Sequence, residues 1–257
     1  MKIAANITLL FCELPLLARF MAARRAGFDG VEIQFPYSES PDALQRAVAE
    51  AGIPVVLMNA PVGTGVYAAG IAGRPEMRDA FRSELSRVSE YADALDVRFV
   101  HVLAGRCDAG ERARCRDTYV DNISFAAAAL AGRQILIEAL NPHDVPDYLI
   151  GSLEEAQAIL ARCTAGLQFD VYHVARMGLN PAEEFEKIMP AVRHVQFADA
   201  PGRHEPGSGQ IQFETVLRTL ECAGYGGWLG AEYRPAARTT DGLGWLAKWR
   251  RRRGRLG

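Results

Sequence analysis

A chain of 257 residues, 49% hydrophobic and 23% charged, has ordinary globular balance and enough apolar material for one large core. Its formal charge of -2 supplies no basic field to gather nucleic acid, and no apolar run reaches the length of a membrane span. Length alone would admit two domains, but no Pro/Gly/Ser-rich linker divides the sequence, which reads as one domain over 1–257 with a basic tail at 250–257.

The first segment, MKIAANITLLFCELP, is apolar but short and carries Glu13. It lacks a basic start leading into a long apolar stretch with a small-residue cleavage site, so it does not read as a secretory leader and the expected location is cytoplasmic. The five cysteines (Cys12, Cys107, Cys115, Cys163, Cys222) are odd in number, widely spaced and free of any CxxC. Reduced thiols are therefore expected.

A strand at Ile3–Thr8 is followed by a helix at Leu16–Ala26, closed by Gly27 as a C-cap. A strand at Gly30–Phe35 leads to a helix at Asp42–Ala51, opened by Pro41 and closed by Gly52. Next come strand Val55–Asn59, helix Glu76–Leu95, strand Phe99–Leu103, helix Glu111–Ala131 and strand Ile135–Leu140. Ser152, ahead of Glu155, gives a capping-box start to helix Leu153–Ala161. Strand Leu167–His173 and helix Pro181–Met189 follow, the latter with proline at its first position. The series ends with strand His194–Ala198, helix Phe213–Ala223 and strand Trp228–Tyr233. The strands are nearly continuous apolar runs, as parallel strands covered on both faces require. Eight strand–helix alternations in this length predict a closed (β/α)8 TIM barrel of α/β class. An open doubly wound sheet is the alternative, but no GxGxxG follows the first strand. The run Arg250–Arg253 with Arg255 reads as a solvated tail or a frayed helix end.

Four of the later strands carry a metal-capable side chain toward their C-terminal ends: Glu138, Asp170, Gln196 and Glu232. Each interrupts an apolar run. One such group can be satisfied by a salt bridge, but three carboxylates and an amide on successive strands point to one shared cation. Hard oxygen donors without thiolate favour Mg2+ or Mn2+ over zinc. In a TIM barrel the strand C-termini form the active face, so the ligand pattern and the fold expectation agree.

Three further places are candidate substrate contacts. His173 reaches the site only if its strand ends before it, because alternation otherwise turns it away from Asp170. Arg203 and His204 lie in the loop from Asp199 to Gly209, shaped by three glycines and two prolines, and suit an anionic substrate; the alternative is a long turn with solvated charges. His101, inside a strand, reads equally as a core histidine or a substrate contact.

Together these segments resemble the hydroxypyruvate isomerase family, including its 2-oxotetronate isomerase branch, within the xylose-isomerase-like TIM barrels. The similarity is carried by Ala4–Asn6, Gly27–Glu32, Phe35–Tyr37, His101–Gly105, Leu136–Asn141, Asp170–His173, Arg203–Gly207 and Gly230–Tyr233. The resemblance implies that Glu138, Asp170, Gln196 and Glu232 hold one divalent ion and that the two glutamates are the acid/base pair. It implies isomerisation of a small hydroxy-keto acid, hydroxypyruvate or 2-oxotetronate, through a cis-enediolate. His101-Val-Leu-Ala-Gly105, the Ala139-Leu-Asn-Pro142 turn and Gly242–Arg250 are slightly more similar to the 2-oxotetronate branch. Two segments depart from the family pattern: the loop Val62–Gly70 is short and has lost its acids, and Gln210 stands where a glutamate is usual. The expected partner is a small molecule, with no nucleic acid and no membrane, and self-association into a homo-oligomer is compatible with the chain. The competing readings are a ketose 3-epimerase of the same barrel group, a metal-dependent binding protein without catalysis, and an abasic-site endonuclease. The last requires several zinc ions and more histidine than the five present.

Overall fold

In the computed structural model, which describes residues 1–253, eight parallel strands close into a barrel in sequence order, with β1 paired to both β2 and β8. The strands are β1 (Lys2–Asn6), β2 (Gly30–Ile33), β3 (Val55–Asn59), β4 (Phe99–His101), β5 (Gln134–Glu138), β6 (Gly166–Asp170), β7 (Val192–Phe197) and β8 (Trp228–Ala231). The helices are α1 (Leu16–Ala26), α2 (Pro41–Ala51), α3 (Arg78–Ala94), α4 (Arg112–Ala129), α5 (Leu153–Leu160), α6 (Val171–Arg176), α7 (Pro181–Ile188), α8 (Phe213–Cys222) and α9 (Gly244–Arg253).

Local chemistry sets many of these boundaries. Gly27 takes φ +95° and its N–H returns to the carbonyls of Ala23 and Arg24, ending α1. Ser152 Oγ accepts the Glu155 N–H at the start of α5; the Glu155 carboxylate reaches back to the Gly151 N–H rather than that of Ser152. Asn180 caps α7 through the Ala182 N–H, with Pro181 at the first helical position.

Two layers of apolar packing result. The larger surrounds the barrel, between strands and helices, and includes Phe20, Phe28, Phe81, Tyr119, Phe169 and Phe185, all buried. A smaller cluster of Ala4, Val56, Leu57, Phe99 and Leu136, with Trp228 against it, forms a separate group. Two residues further along the same strands stand Asn6, Asn59, His101 and Glu138, all buried. Period-two alternation puts them on the same face as Ala4, Leu57, Phe99 and Leu136, so the barrel interior turns from apolar to polar toward the strand C-termini.

Two expectations change. Strand β6 stops at Asp170, and α6 starts at once at Val171. The expected strand to His173 is cut short because the Asp170 carboxylate caps that helix, accepting the Tyr172 N–H at 2.8 Å. The reduced state expected of all five cysteines is corrected for two: Cys107 and Cys115 form a disulfide, while Cys12, Cys163 and Cys222 are free. Their eight-residue separation joins the loop after β4 to α4, a proximity that sequence spacing did not signal. The C-terminal basic run falls at the end of α9, in keeping with the helix-end reading, and Arg250 pairs with Asp29 at 3.2 Å; Arg255 lies outside the described residues. No helix among the described residues is long and apolar enough to cross a membrane.

Candidate active site

Glu138 and Asp170 come together at the C-terminal mouth of the barrel, with Glu232 joined to Asp170 through the Arg203 guanidinium; all three acids are nearly inaccessible to solvent. Glu138 ends β5, Asp170 ends β6, and Glu232 follows β8 directly. Glu138 Oε1 and Asp170 Oδ2 are buried without a hydrogen-bond partner. Ligand atoms of Glu138, Asp170 and His173 all lie within 4.8 Å of one another. Unpartnered carboxylate oxygens facing each other in a buried space are what a cation would resolve, and a hard oxygen set fits Mg2+ or Mn2+ chemically.

The acids carry the electrostatic mark of this crowding. Burial pushes Glu232 up to about 8, with Arg203 opposing and Asp170 adding to the rise. Burial also pushes Asp170 up to about 6, again opposed by Arg203. Glu138 is held well above the usual carboxylate range by burial, then by Glu232 and Asp170. All three acids therefore hold protons more tightly in the folded chain than in the unfolded one. Their contribution to stability is present at low pH and is lost as pH rises from the ordinary carboxylic range through about 6 for Asp170 and about 8 for Glu232. Chelator-treated protein is thus expected to have a lower Tm at about pH 8.5 than at about pH 6. Differential scanning calorimetry checks this; a chelated Tm that climbs across that interval contradicts it.

Arg203 sits among the acids. Its guanidinium donates to Glu232 Oε1 at 3.0 Å, lies 3.7 Å from Asp170 Oδ2, and stacks 5.0 Å over the Tyr172 ring. Burial alone would lower its pKa, but Glu232, Asp170 and Glu138 together raise it. Its Nε is buried and unpartnered. The loop that presents it is wound around Asp199, whose carboxylate accepts the N–H groups of Gly207, Gly209 and Ile211. Gly209 is needed for this winding, since a Cβ there would lie 2.1 Å from the Ala200 carbonyl oxygen. Arg203 is held at φ +57°, a conformation costing a non-glycine residue on the order of 1 kcal/mol, so the loop fixes it firmly.

The other predicted contacts divide. His173 reaches the site because β6 ends early. Its Nδ1 accepts the Asn141 backbone N–H at 3.1 Å and faces Asn141 Nδ2 at 2.7 Å. Asn141 Oδ1 accepts from the His143 and Asp144 N–H groups, which fixes the orientation of that amide. Burial, then Arg203, lowers the His173 pKa well below its ordinary value. The neutral ring therefore carries its proton on Nε2, 3.7 Å from Asp170 Oδ2, and serves as a donor rather than a metal ligand. His101 lies with Nε2 3.7 Å from Glu138 Oε2; burial, then His194, lowers it to about 3, so it too is neutral. His204 has its Nδ1 2.7 Å from the Arg234 carbonyl oxygen, in the loop after β8. Gln196 engages both ends of its amide, donating to Glu32 at 2.7 Å and accepting from Gln168 at 2.6 Å; one lone pair of Oε1 is left over.

Several participants escaped the sequence reading. Gln34 donates to Glu232 Oε1 at 2.6 Å, and Gln168 donates to Glu138 Oε2 at 3.0 Å. Gln34, just past the end of β2, and Gln168, in β6, each stand two residues from another inward polar group, Glu32 and Asp170 respectively. Period-two polar residues inside apolar strands were the available signal.

The buried acids lie at the C-terminal mouth of a closed (β/α)8 barrel, the place where enzymes of this class hold their active sites. The family model for xylose isomerase-like TIM barrels matches residues 20–249. A 2-oxo-tetronate isomerase of Cupriavidus necator is 37% identical over 254 residues, spanning 95% of this chain and 97% of that protein. A hydroxypyruvate isomerase of Escherichia coli is 33% identical over 259 residues, spanning 97% of this chain and 100% of that one. A crystal structure titled AP endonuclease, family 2, from Brucella melitensis superposes with a TM-score of 0.92 at 36% identity, covering 96% of this chain and 98% of that chain. The chain belongs to the hydroxypyruvate isomerase family of xylose isomerase-like TIM barrels, and it is an isomerase.

Proposed function

We propose that this chain isomerises small hydroxy-keto acids, with hydroxypyruvate and 2-oxotetronate as its substrates, using one Mg2+ or Mn2+ held by Glu138, Asp170, Gln196 and Glu232. The observation that carries the reading is the set of buried, unpartnered carboxylate oxygens beside a guanidinium whose Nε is also unpartnered. A bound divalent ion would supply positive charge for the oxygen that becomes negative when a proton leaves the carbon beside the carbonyl.

The chain's own groups supply the rest. Gln168 pins Glu138 Oε2 and leaves Oε1 free to take or return a proton. Gln34 and Arg203 hold Glu232 Oε1, so the second glutamate is steadied on the opposite side of the barrel. Raised carboxyl pKa values bring both glutamates closer to the operating pH, where a group can accept and then release a proton. His173 presents its Nε2–H to a substrate oxygen. Arg203 pairs with the substrate carboxylate through a guanidinium that suits a two-oxygen acceptor.

This last contact favours acids over neutral ketohexoses, and with them an isomerase over an epimerase. Arg203→Ala is expected to raise KM for both acids about 10–100-fold, as loss of a charged hydrogen bond implies, with a smaller change in kcat. An unchanged preference for acids over fructose or psicose removes Arg203 from the substrate site. The nuclease reading finds little support: among the described residues a single group of three metal-capable acids and histidines forms, and it contains one histidine. The decisive experiment incubates the protein with each acid in D2O and follows deuterium uptake by NMR. Uptake at the exchanging carbon supports the isomerase; binding without exchange leaves a non-catalytic binder.

A further inference from the structure

Beneath the acids lies a second buried layer that the reaction does not use directly. Its centre is Glu32 of β2, fully inaccessible to solvent. Its Oε2 accepts from Gln196 Nε2 at 2.7 Å and from Asn6 Nδ2 at 3.1 Å, and its Oε1 contacts His194 Nε2. Position 230 on β8 is glycine because a Cβ there would fall 1.8 Å from Glu32 Oε1. The barrel therefore gives up a side chain on one strand to seat this carboxylate.

Glu32 Oε2 accepts two N–H donors at once, whereas a primary amide presents oxygen at one end and nitrogen at the other. Glu32 thus decides which way the Gln196 amide faces: nitrogen toward β2, oxygen away. The Gln196 oxygen then requires a donor from its neighbour, and Gln168 Nε2 supplies it at 2.6 Å. The same Gln168 nitrogen donates to Glu138 Oε2 at 3.0 Å. Polarity is passed from strand to strand, β2 to β7 to β6 to β5. Without that acceptor, the Gln196 amide can turn and present its N–H where an oxygen is needed.

We infer that Glu32 is a positioning residue that locks the Gln196 amide with its oxygen available to a divalent ion and, through Gln168, holds Glu138 with Oε1 free. The inference rests on the metal reading of the proposed function. Its test measures Mn2+ affinity by titration calorimetry, apart from activity. Glu32→Gln keeps the shape but admits the inverted amide, and is expected to weaken Mn2+ about 10–100-fold, as loss of an outer-shell partner does. The exchanged pair Glu32→Gln with Gln196→Glu again sets one carboxylate against one amide with an oxygen toward the ion, and is expected to recover part of that loss, because Asn6 Nδ2, which donates to the same Glu32 oxygen, then meets an N–H. Equal affinity for Glu32→Gln and the unaltered chain, or no recovery in the exchanged pair, overturns the inference. Should Glu32→Gln fail to fold, the unaltered protein still decides: the Gln196 side-chain NH2, identified in 15N spectra by its disappearance in Gln196→Glu, is expected to exchange slowly with solvent both with and without Mg2+. Rapid exchange, or its loss on adding Mg2+, overturns the assignment. If the unaltered chain binds no Mn2+ at all, the metal reading itself fails, which is a separate outcome.

Discussion

Asp170→Ala is expected to lose divalent-ion binding and turnover together. Asp170 Oδ2 is buried and unpartnered between His173 Nε2 and the Arg203 guanidinium, each at 3.7 Å. Its other oxygen caps α6 through the Tyr172 N–H. The alanine variant therefore loses a ligand and a helix cap, the latter costing about 1 kcal/mol. Asp170→Asn separates the two effects, since the amide oxygen can still accept from Tyr172 while the charge is gone. Both variants are expected to bind Mn2+ more than about 100-fold more weakly, because even outer-shell partners are worth about 10–100-fold. Only the alanine variant should also show the lower Tm of a lost cap. Full metal occupancy in Asp170→Ala would remove this residue from the ligand set.

Replacing either glutamate by glutamine should reduce kcat by about 10²–10⁴-fold while retaining shape and an oxygen donor, the usual effect of deleting one member of an acid/base pair. Glu138→Gln can keep an oxygen toward Gln168 by choice of amide orientation, so its fold should persist. Glu232→Gln faces two donors, Gln34 and Arg203, and can satisfy them with its oxygen in the same way. The measurement is steady-state kinetics with both acids, beside a metal-binding titration of each variant. Near-normal turnover with metal bound would make that glutamate a ligand only.

The two predictions stand on features of different legibility. Glu138, Asp170 and Glu232 could be found because each breaks an apolar strand near its end, and the barrel rule brings strand C-termini together. Arg203 could be placed near the site because its loop follows β7. That it lies directly against Glu232 and Asp170 came from the winding around Asp199, a buried carboxylate that reads in sequence as an ordinary loop residue. His204, its neighbour, carried the same signal, and its Nδ1 contact with the Arg234 carbonyl was not legible in the sequence.

The sequence by itself determined the barrel, the order of its elements and the three acids at its mouth. These depend on period-two and helical patterning, caps, and the rule that parallel strands ending together share a face. Only the tertiary structure decided that β6 ends at Asp170 so that His173 turns inward, that Asn141 sets the protonated nitrogen of that ring, and that Cys107 meets Cys115. It alone set Glu32 against Gln196 across 164 residues, in the space left by Gly230. The physical reason is closure: alternation tells which side chains face inward, but which of them touch depends on register and tilt around the whole barrel, a property of all eight strands at once.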